Sequence, residues 1–469
     1  MTAGSNEWPQ CIDQDNADVK RNQINAMNLV YSNAHLTIIA AAGEDSVYGL
    51  PGVGLRQRVT QEHVCVDETV FVRTFPHASE TLKTSRWATR GWTFQEGLLS
   101  NRKLIFTDQQ VAFQCNGMHC SESVYWPFEL MHAKSQRMFP QNVPAPLFRN
   151  SVGRKSSDQN KPYLNLTDHI LEYSKRTLSH QSDRLNVILG ILADWEARKE
   201  PIYHVWGVLV SPNFSWWGGG ATGWDIRLGS WYHQEPCSRQ PSFPSWSWAG
   251  WSGPLTKARY MPSNFSSPFR TELEKDRDGK APERISLSTF VDDHPKHRKY
   301  ATGSPFLQLY VKMLEIIFTP VRWSVSEAWK QAYYKDGEDA SEPRKNAFKD
   351  GIYAEFPRRG YAELSYFYAD DKDLNLASLP EQSMRAFLVE SGATGENMRL
   401  IVVVPKGDHY ERAGYLFCCA RSVETHPDIT YRRADGRLTK TRPEAPVGDD
   451  DDNILGLEDR YKAMRIRLG

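Results

Sequence analysis

No sign of charge dominates this chain of 469 residues: Lys+Arg and Asp+Glu each number 57. Nothing in the overall field draws it to a nucleic-acid backbone or an anionic membrane, so neither is expected as a partner. No stretch approaches 18 uninterrupted apolar residues, which leaves no candidate for a membrane-spanning helix. The first thirty residues hold no basic segment followed by an apolar run, so no secretory leader is read there. Cysteine is sparse. Seven residues (Cys11, Cys65, Cys115, Cys120, Cys237, Cys418, Cys419) scattered along a long chain do not make a small disulfide framework, and they read as reduced thiols of a cytoplasmic protein. Also missing are a G-x-S-x-G elbow, a Walker A loop, H-E-x-x-H, a kinase signature and any internal repeat. The common hydrolase, phosphotransferase and metalloprotease classes lose ground accordingly.

What is present is aromatic. With 15 Trp, 20 Tyr and 20 Phe the chain is too apolar to stay disordered, and its length suits two or three domains. Ile24, Met27, Tyr31 and Ala34 recur at helical spacing and predict a helix over about 17–33. "HLTIIAAAG" then reads as a short strand buried on both faces, suggesting an α/β layer with a parallel sheet. Residues 59–75 alternate around Val64, Val66, Val70 and Val72 as two half-buried strands. Thr84 or Ser85 offers a helix N-cap, and "RKLIFTDQQVAFQC" reads as a hairpin turning near Asp108. Residues 139–162 look like a loop, 166–195 are helical, and from about 200 onward the pattern is strand-rich. The basic stretch 431–442 and the acidic run 448–453 read as a solvated tail. The expected division is 1–125, a linker at 126–162, a helical and Trp-rich region at 163–253, a β-rich region at 254–430 and a charged tail at 431–469.

The most unusual segment is "GWTFQEGLLS", residues 91–100, in which Gln95 and Glu96 sit among Trp92, Phe94, Leu98 and Leu99. On one continuous helix, Trp87, Gly91, Phe94 and Leu98 face one side, and Ala88, Trp92, Gln95, Glu96 and Leu99 the other. Both sides are apolar, so the helix is expected to be covered twice, with Gly91 admitting a neighbouring backbone. A buried carboxylate needs a cation, backbone donors or a raised pKa. Arg86, Arg90 and Arg102 are nearest in sequence, although Arg90 cannot reach Glu96 along a continuous helix surface. Two readings of Glu96 stay open: a structural ion pair or helix anchor, and a carboxylate poised in a cleft.

Other motifs have plainer readings. "CIDQDN", residues 11–16, places Asp13 and Asp15 ahead of the first helix, where Asp15 or Asn16 caps it or the loop faces a ligand. "GGGATG", residues 218–223, fits G-x-G-x-x-G in form but opens no Rossmann-type helix. "CNGMHC", residues 115–120, supplies two thiols and His119, yet no second pair lies at zinc-finger spacing, and no metal is expected. "PSWSWAGW", residues 244–251, has a period of two and predicts a strand whose tryptophans pack in the core.

Taken together these segments resemble the fungal heterokaryon-incompatibility (HET) domain family. The matching residues are "CIDQ" at 11–14, Gln23, Met27, "VYSNAHLTIIAAAG" at 30–43, "GLPGV" at 49–53, "TRGWTFQEGLLSNRKLIFTDQQVAFQC" at 89–115, "SDRLNVILGIL" at 182–192 and "PSWSWAG" at 244–250. The first strand and loop usual in the family are not found ahead of "NEWPQCIDQ", so a partial domain is expected, truncated at its N-terminus. The resemblance implies a role in non-self recognition and programmed cell death. It also implies likeness to Toll/interleukin-receptor (TIR) domains, a flavodoxin-like α/β fold with a parallel sheet and flanking helices, here incomplete and followed by a β-rich α+β region. Enzymatic TIR domains cleave NAD⁺ with one essential glutamate. By that analogy Glu96 is the catalytic candidate, with Arg90, Trp92, Gln95 and Asp13 as ligand-binding candidates, NAD⁺ as substrate and no cofactor. The alternative is a non-catalytic module that self-associates or binds a protein partner, or an inactive paralogue.

Overall fold

A computed structural model describes residues 16, 19, 23–24, 26–115, 119–124, 161–214, 221–258, 269–277, 280–297, 301–321, 350–358, 361–375, 384–391, 397–419, 429–433, 436–439 and 462–469. The chain divides into two compact units, 1–202 and 203–469, both of mixed helix and strand. Among the described residues no helix is long and apolar enough to cross a membrane.

In the N-terminal unit, helix α1 (Met27–Asn33) leads into β1 (Thr37–Ala40), and the hairpin β2 (His63–Val66) and β3 (Thr69–Val72) follows. Three short helices come next, α2 (Ala78–Thr84), α3 (Arg86–Thr89) and α4 (Thr93–Leu99), then β4 (Arg102–Phe106), β5 (Val111–Cys115) and β6 (His119–Ser121). Helices α5 (Lys161–Ser174) and α6 (Asn186–Glu196) complete the unit. Strand β1 pairs with β4 in parallel, whereas β4–β5 and β5–β6 are antiparallel. The sheet, ordered β1-β4-β5-β6, is therefore mixed where a parallel one was expected. The reason is in the connections: a parallel crossover needs about a dozen residues or more, and residues 107–110 and 116–118 supply far fewer. The β4–β5 hairpin turns at Asp108 as read, held by Thr107, whose Oγ1 donates to Gln110 O (2.7 Å).

Ile39, Ala41, Ala78, Leu82, Trp87, Ile105 and Ala112 form the core between sheet and helices. Strand β1 is not buried on both faces: Ile39 is enclosed but Ile38 is 46% exposed. The two strands expected to be half-buried form a separate hairpin with every residue exposed, turning at Asp67 with φ of 51°.

In the C-terminal unit the long strand Leu307–Val321 organises a 12-stranded sheet, pairing with strands at 270–277, 351–358, 384–391 and 462–468. The β-rich reading of this half holds, with three local corrections. Residues 287–292, within the strand-rich stretch, are a helix, because Ser286 Oγ accepts from Thr289 N (3.0 Å) and caps it. "PSWSWAGW" is not a strand but a turn into a 3₁₀ segment, Trp248–Gly250. Its tryptophans are buried, as expected of core. Their indoles donate to backbone carbonyls: Trp246 to Pro305 O (2.9 Å), Trp248 to Gly207 O (2.8 Å) and Trp251 to Ser245 O (2.8 Å). The stretch read as a charged tail holds strands at 429–433, 438–439 and 462–468. There Arg465 and Arg467 alternate with Met464, Ile466 and Leu468; Arg467 pairs with Glu274 and Asp408, and Arg465, still exposed, pairs with Glu272. The acidic run 448–453 lies outside the described residues.

A buried ionic cluster ties this unit together. Arg412 Nε donates to Asp370 Oδ2 (2.6 Å), and its other nitrogens donate to Leu228 O (3.0 Å) and Trp231 O (3.1 Å). His233 Nδ1 lies 3.0 Å from Asp370 Oδ1. Fully enclosed, the cluster is framework.

Candidate functional site

The segment around Glu96 is two helices where one was expected. Ser85 caps α3, its Oγ accepting from Ala88 N (3.2 Å), and the helix stops at Thr89 because Arg90 is extended (φ −82°, ψ 138°). The segment after α5 crosses at this break. Thr177 N donates to Thr89 O (2.7 Å) and Gly91 N donates to Thr177 O (2.8 Å), so backbone groups lost from the helical ladder are paired across it. Gly91 eases that crossing: a Cβ there would lie 2.3 Å from Leu178 Cδ2, which would have to shift, and 3.4 Å from Thr177 O. The expectation that Gly91 admits a neighbouring backbone holds, and the hydrogen bonds that this backbone supplies make the break favourable.

The break changes who meets Glu96. On a continuous helix Trp87 would face away from it, but Trp87 Nε1 donates to Glu96 Oε1 (3.2 Å). Glu96 is half-buried, on the first turn of α4. Burial pushes its carboxyl up to about 7, against the lowering effects of the Trp87 hydrogen bond and the Arg90 and Arg176 charges. Of the three arginines proposed as partners, Arg90 supplies part of that field through space, while Arg86 and Arg102 are exposed. Arg176, about eighty positions away, was not foreseen. Its Nη1 donates to Arg90 O (3.1 Å) and Thr93 Oγ1 (3.1 Å), and its guanidinium lies 4.8 Å from the Phe94 ring centroid. Burial lowers it to about 10, and the Glu172 and Glu96 charges oppose that. No local spacing could have revealed it, since only the α5–α6 crossing brings it near.

The other candidates separate. Trp92 is half-buried against Ile24, Met27 and Tyr31, and Tyr31 is close enough for the Glu96 charge to add to the burial that raises its hydroxyl pKa. Gln95 turns the other way. It is fully buried, both amide atoms lack a hydrogen-bond partner, and a Cβ on Gly190 of α6 would sit 2.1 Å from its Oε1. Asp13 lies outside the described residues, as do residues 218–220 of "GGGATG"; residues 221–226 are a strand and open no helix. The site is thus a partly accessible, reluctantly ionised carboxylate with aromatic neighbours and two guanidinium charges nearby.

Gly190→Ala forces the new methyl against Gln95 Oε1 and, at 3.2 Å, Asn28 N. An overpacking loss of about 1–3 kcal/mol is expected in urea unfolding, and adding Gln95→Ala should restore part of it.

Residues 9–96 match the family model described as Heterokaryon incompatibility protein (HET). The chain carries a HET domain near its N-terminus. The match ends at Glu96, so Arg176, Thr177 and Gly190, which complete the surroundings of the HET motif, lie beyond the matched span. No curated protein and no solved structure matches the chain.

Proposed function

We propose that this HET-domain chain acts in fungal non-self recognition and programmed cell-death signalling, with Glu96 as the carboxylate of a site that cleaves NAD⁺. The observation that carries this reading is the state of Glu96: half-buried, held by one indole N–H and raised to about 7. A purely structural carboxylate gains from being ionised and paired, whereas this one is kept uncomfortable within reach of solvent. Breaking the nicotinamide–ribose bond releases neutral nicotinamide and leaves positive charge on the ribose, which ionised Glu96 stabilises. Water then adds to the anomeric carbon and loses a proton, giving ADP-ribose. Trp92 and Tyr31 shape the apolar side, and Arg90 contributes positive charge toward the phosphates.

The test is nicotinamide release from NAD⁺ by the purified full chain. Release is expected to rise with pH through about 7 as Glu96 ionises and to fall about a hundredfold or more in Glu96→Gln. Equal rates in the two proteins would sink the catalytic role.

The β2–β3 hairpin favours a second reading, a non-catalytic interaction module. Val64, Val66, Val70 and Phe71 are each more than half exposed on it, an apolar surface of the kind that partners cover. If this reading is right, Phe71→Glu abolishes self-association on a sizing column, and neither wild type nor variant releases nicotinamide.

A further inference from the structure

Among the described residues no group of three or more His, Cys, Asp and Glu side chains is placed to hold a metal ion. The strands also part the residues of "CNGMHC". Burial alternates along β5 and β6 so that Gln114 and His119 face the core while Cys115 and Cys120 lie on the other face. What the fold brings to His119 instead is His77, the N-cap of α2, with ring centroids 4.6 Å apart and planes at 41°.

This corner of the core has an unusual concentration of unmet polar valence. A polar row crosses the sheet, Thr37 opposite Lys103, Lys103 opposite Gln114 and Gln114 opposite His119. At its start the valences are met: Thr37 Oγ1 and Ser100 Oγ are 2.8 Å apart, and Lys103 Nζ donates to Ser100 O (2.7 Å). At its end they are not. Gln114 Oε1, both ring nitrogens of His119 and Nε2 of His77 are buried without a hydrogen-bond partner. Four adjacent orphans are more than a stable core tolerates unless something occupies the space between them. The four atoms belong to three side chains, all of metal-donor type: two imidazoles and an amide oxygen.

We propose that His77 and His119 bind one divalent transition-metal ion of the Zn²⁺, Ni²⁺ or Cu²⁺ class, with Gln114 Oε1 as a third donor and solvent completing the coordination. Imidazole suits these ions, and metal–nitrogen bonds of about 2.0–2.1 Å let two rings at this separation share one. His77 Nδ1 lies 2.6 Å from Ser79 Oγ and accepts from Ser79 N (3.2 Å) as the cap of α2, so ligation through Nε2 moves the ring proton to Nδ1, where it faces Ser79 Oγ, at the cost of that cap bond.

The test titrates the metal-stripped full chain with Zn²⁺ and, separately, Cu²⁺ by calorimetry, alongside His77→Ala and His119→Gln, with circular dichroism to confirm folding. Wild type is expected to take up one equivalent that each variant loses or binds at least about tenfold more weakly. The Cu²⁺ form should show nitrogen hyperfine coupling that disappears in the variants. If His119→Gln does not fold, His77→Ala, at a half-buried position, decides alone. No uptake by wild type, or uptake that survives His77→Ala unchanged, overturns the proposal.

Discussion

Glu96→Gln is expected to stabilise the N-terminal unit at pH 8 and to leave it nearly unchanged at pH 4. The sign follows from linkage. The folded-state pKa of Glu96 is raised from 4.5 to about 7, so the folded chain holds the proton more tightly than the unfolded one. Below the unfolded value both states are protonated and Glu96 contributes no difference. Between 4.5 and about 7 the unfolded state ionises first and stability falls with rising pH. Above about 7 the full cost of ionising a carboxylate in this environment is present. At 1.36 kcal/mol per pKa unit that cost has an upper bound of about 3 kcal/mol, and solvent contact at a half-buried group reduces it to about 1–2 kcal/mol. Glutamine keeps an oxygen for the Trp87 indole and removes the charge. Urea unfolding of the N-terminal unit at the two pH values measures the difference. A loss of stability at pH 8 would identify Glu96 as a structural partner of Arg90 and Arg176 and would remove the physical basis for the catalytic reading. A gain, together with loss of nicotinamide release, is the trade-off expected where a protein keeps a strained group for function.

How much of this was legible in sequence depends on whether the signal was local. Alternation and turn residues located the β4–β5 hairpin and the long strands of the second unit. The Gly91 close approach was legible because a glycine between bulky aromatics has few other uses. What failed were features decided by distant partners. The helix over 84–99 was drawn through Arg90 because Gly91 alone is a weak breaker, and only the 176–178 segment supplies the hydrogen bonds that make the break favourable. That one error put Trp87 and Glu96 on opposite faces. A period of two in "PSWSWAGW" matched a strand, but Ser247 instead accepts from Ala249 N (3.1 Å) and turns the chain. The stretch 431–469 was read as a tail from its charge, although the period-two pattern of Met464, Ile466 and Leu468 was there to be counted. Within the site, sequence named Glu96 but missed Arg176, and it placed Gln95 beside Glu96 when the α4–α6 packing turns it toward Gly190.

Asp370→Ala carries the largest stability effect expected in the C-terminal unit, about 3–5 kcal/mol, because it leaves the Arg412 guanidinium buried without its counter-charge. The side chains of Asp370, Arg412 and His233 have no solvent exposure. Two of the three groups Arg412 donates to are backbone carbonyls, and its guanidinium carbon lies 3.5 Å from the Trp231 ring centroid, so it cannot swing toward water without breaking the surrounding packing. Its backbone N also donates to Ser245 Oγ (2.8 Å), which fixes the strand that carries it. Asp370→Asn, retaining shape and one acceptor but no charge, should fall between wild type and alanine. The pH dependence has a defined direction. Burial alone would raise the Asp370 pKa, but the Arg412 charge and the His233 contact outweigh it and hold the carboxyl below its usual 3.8. Its stabilisation is therefore complete above 3.8 and is lost as pH falls through the lower folded value. The gap between wild type and Asp370→Ala should be widest at neutral pH and should close only in strong acid. Urea midpoints from pH 7 down to pH 2 measure it, and a gap below about 1 kcal/mol at neutral pH would mean that water, not Asp370, balances Arg412.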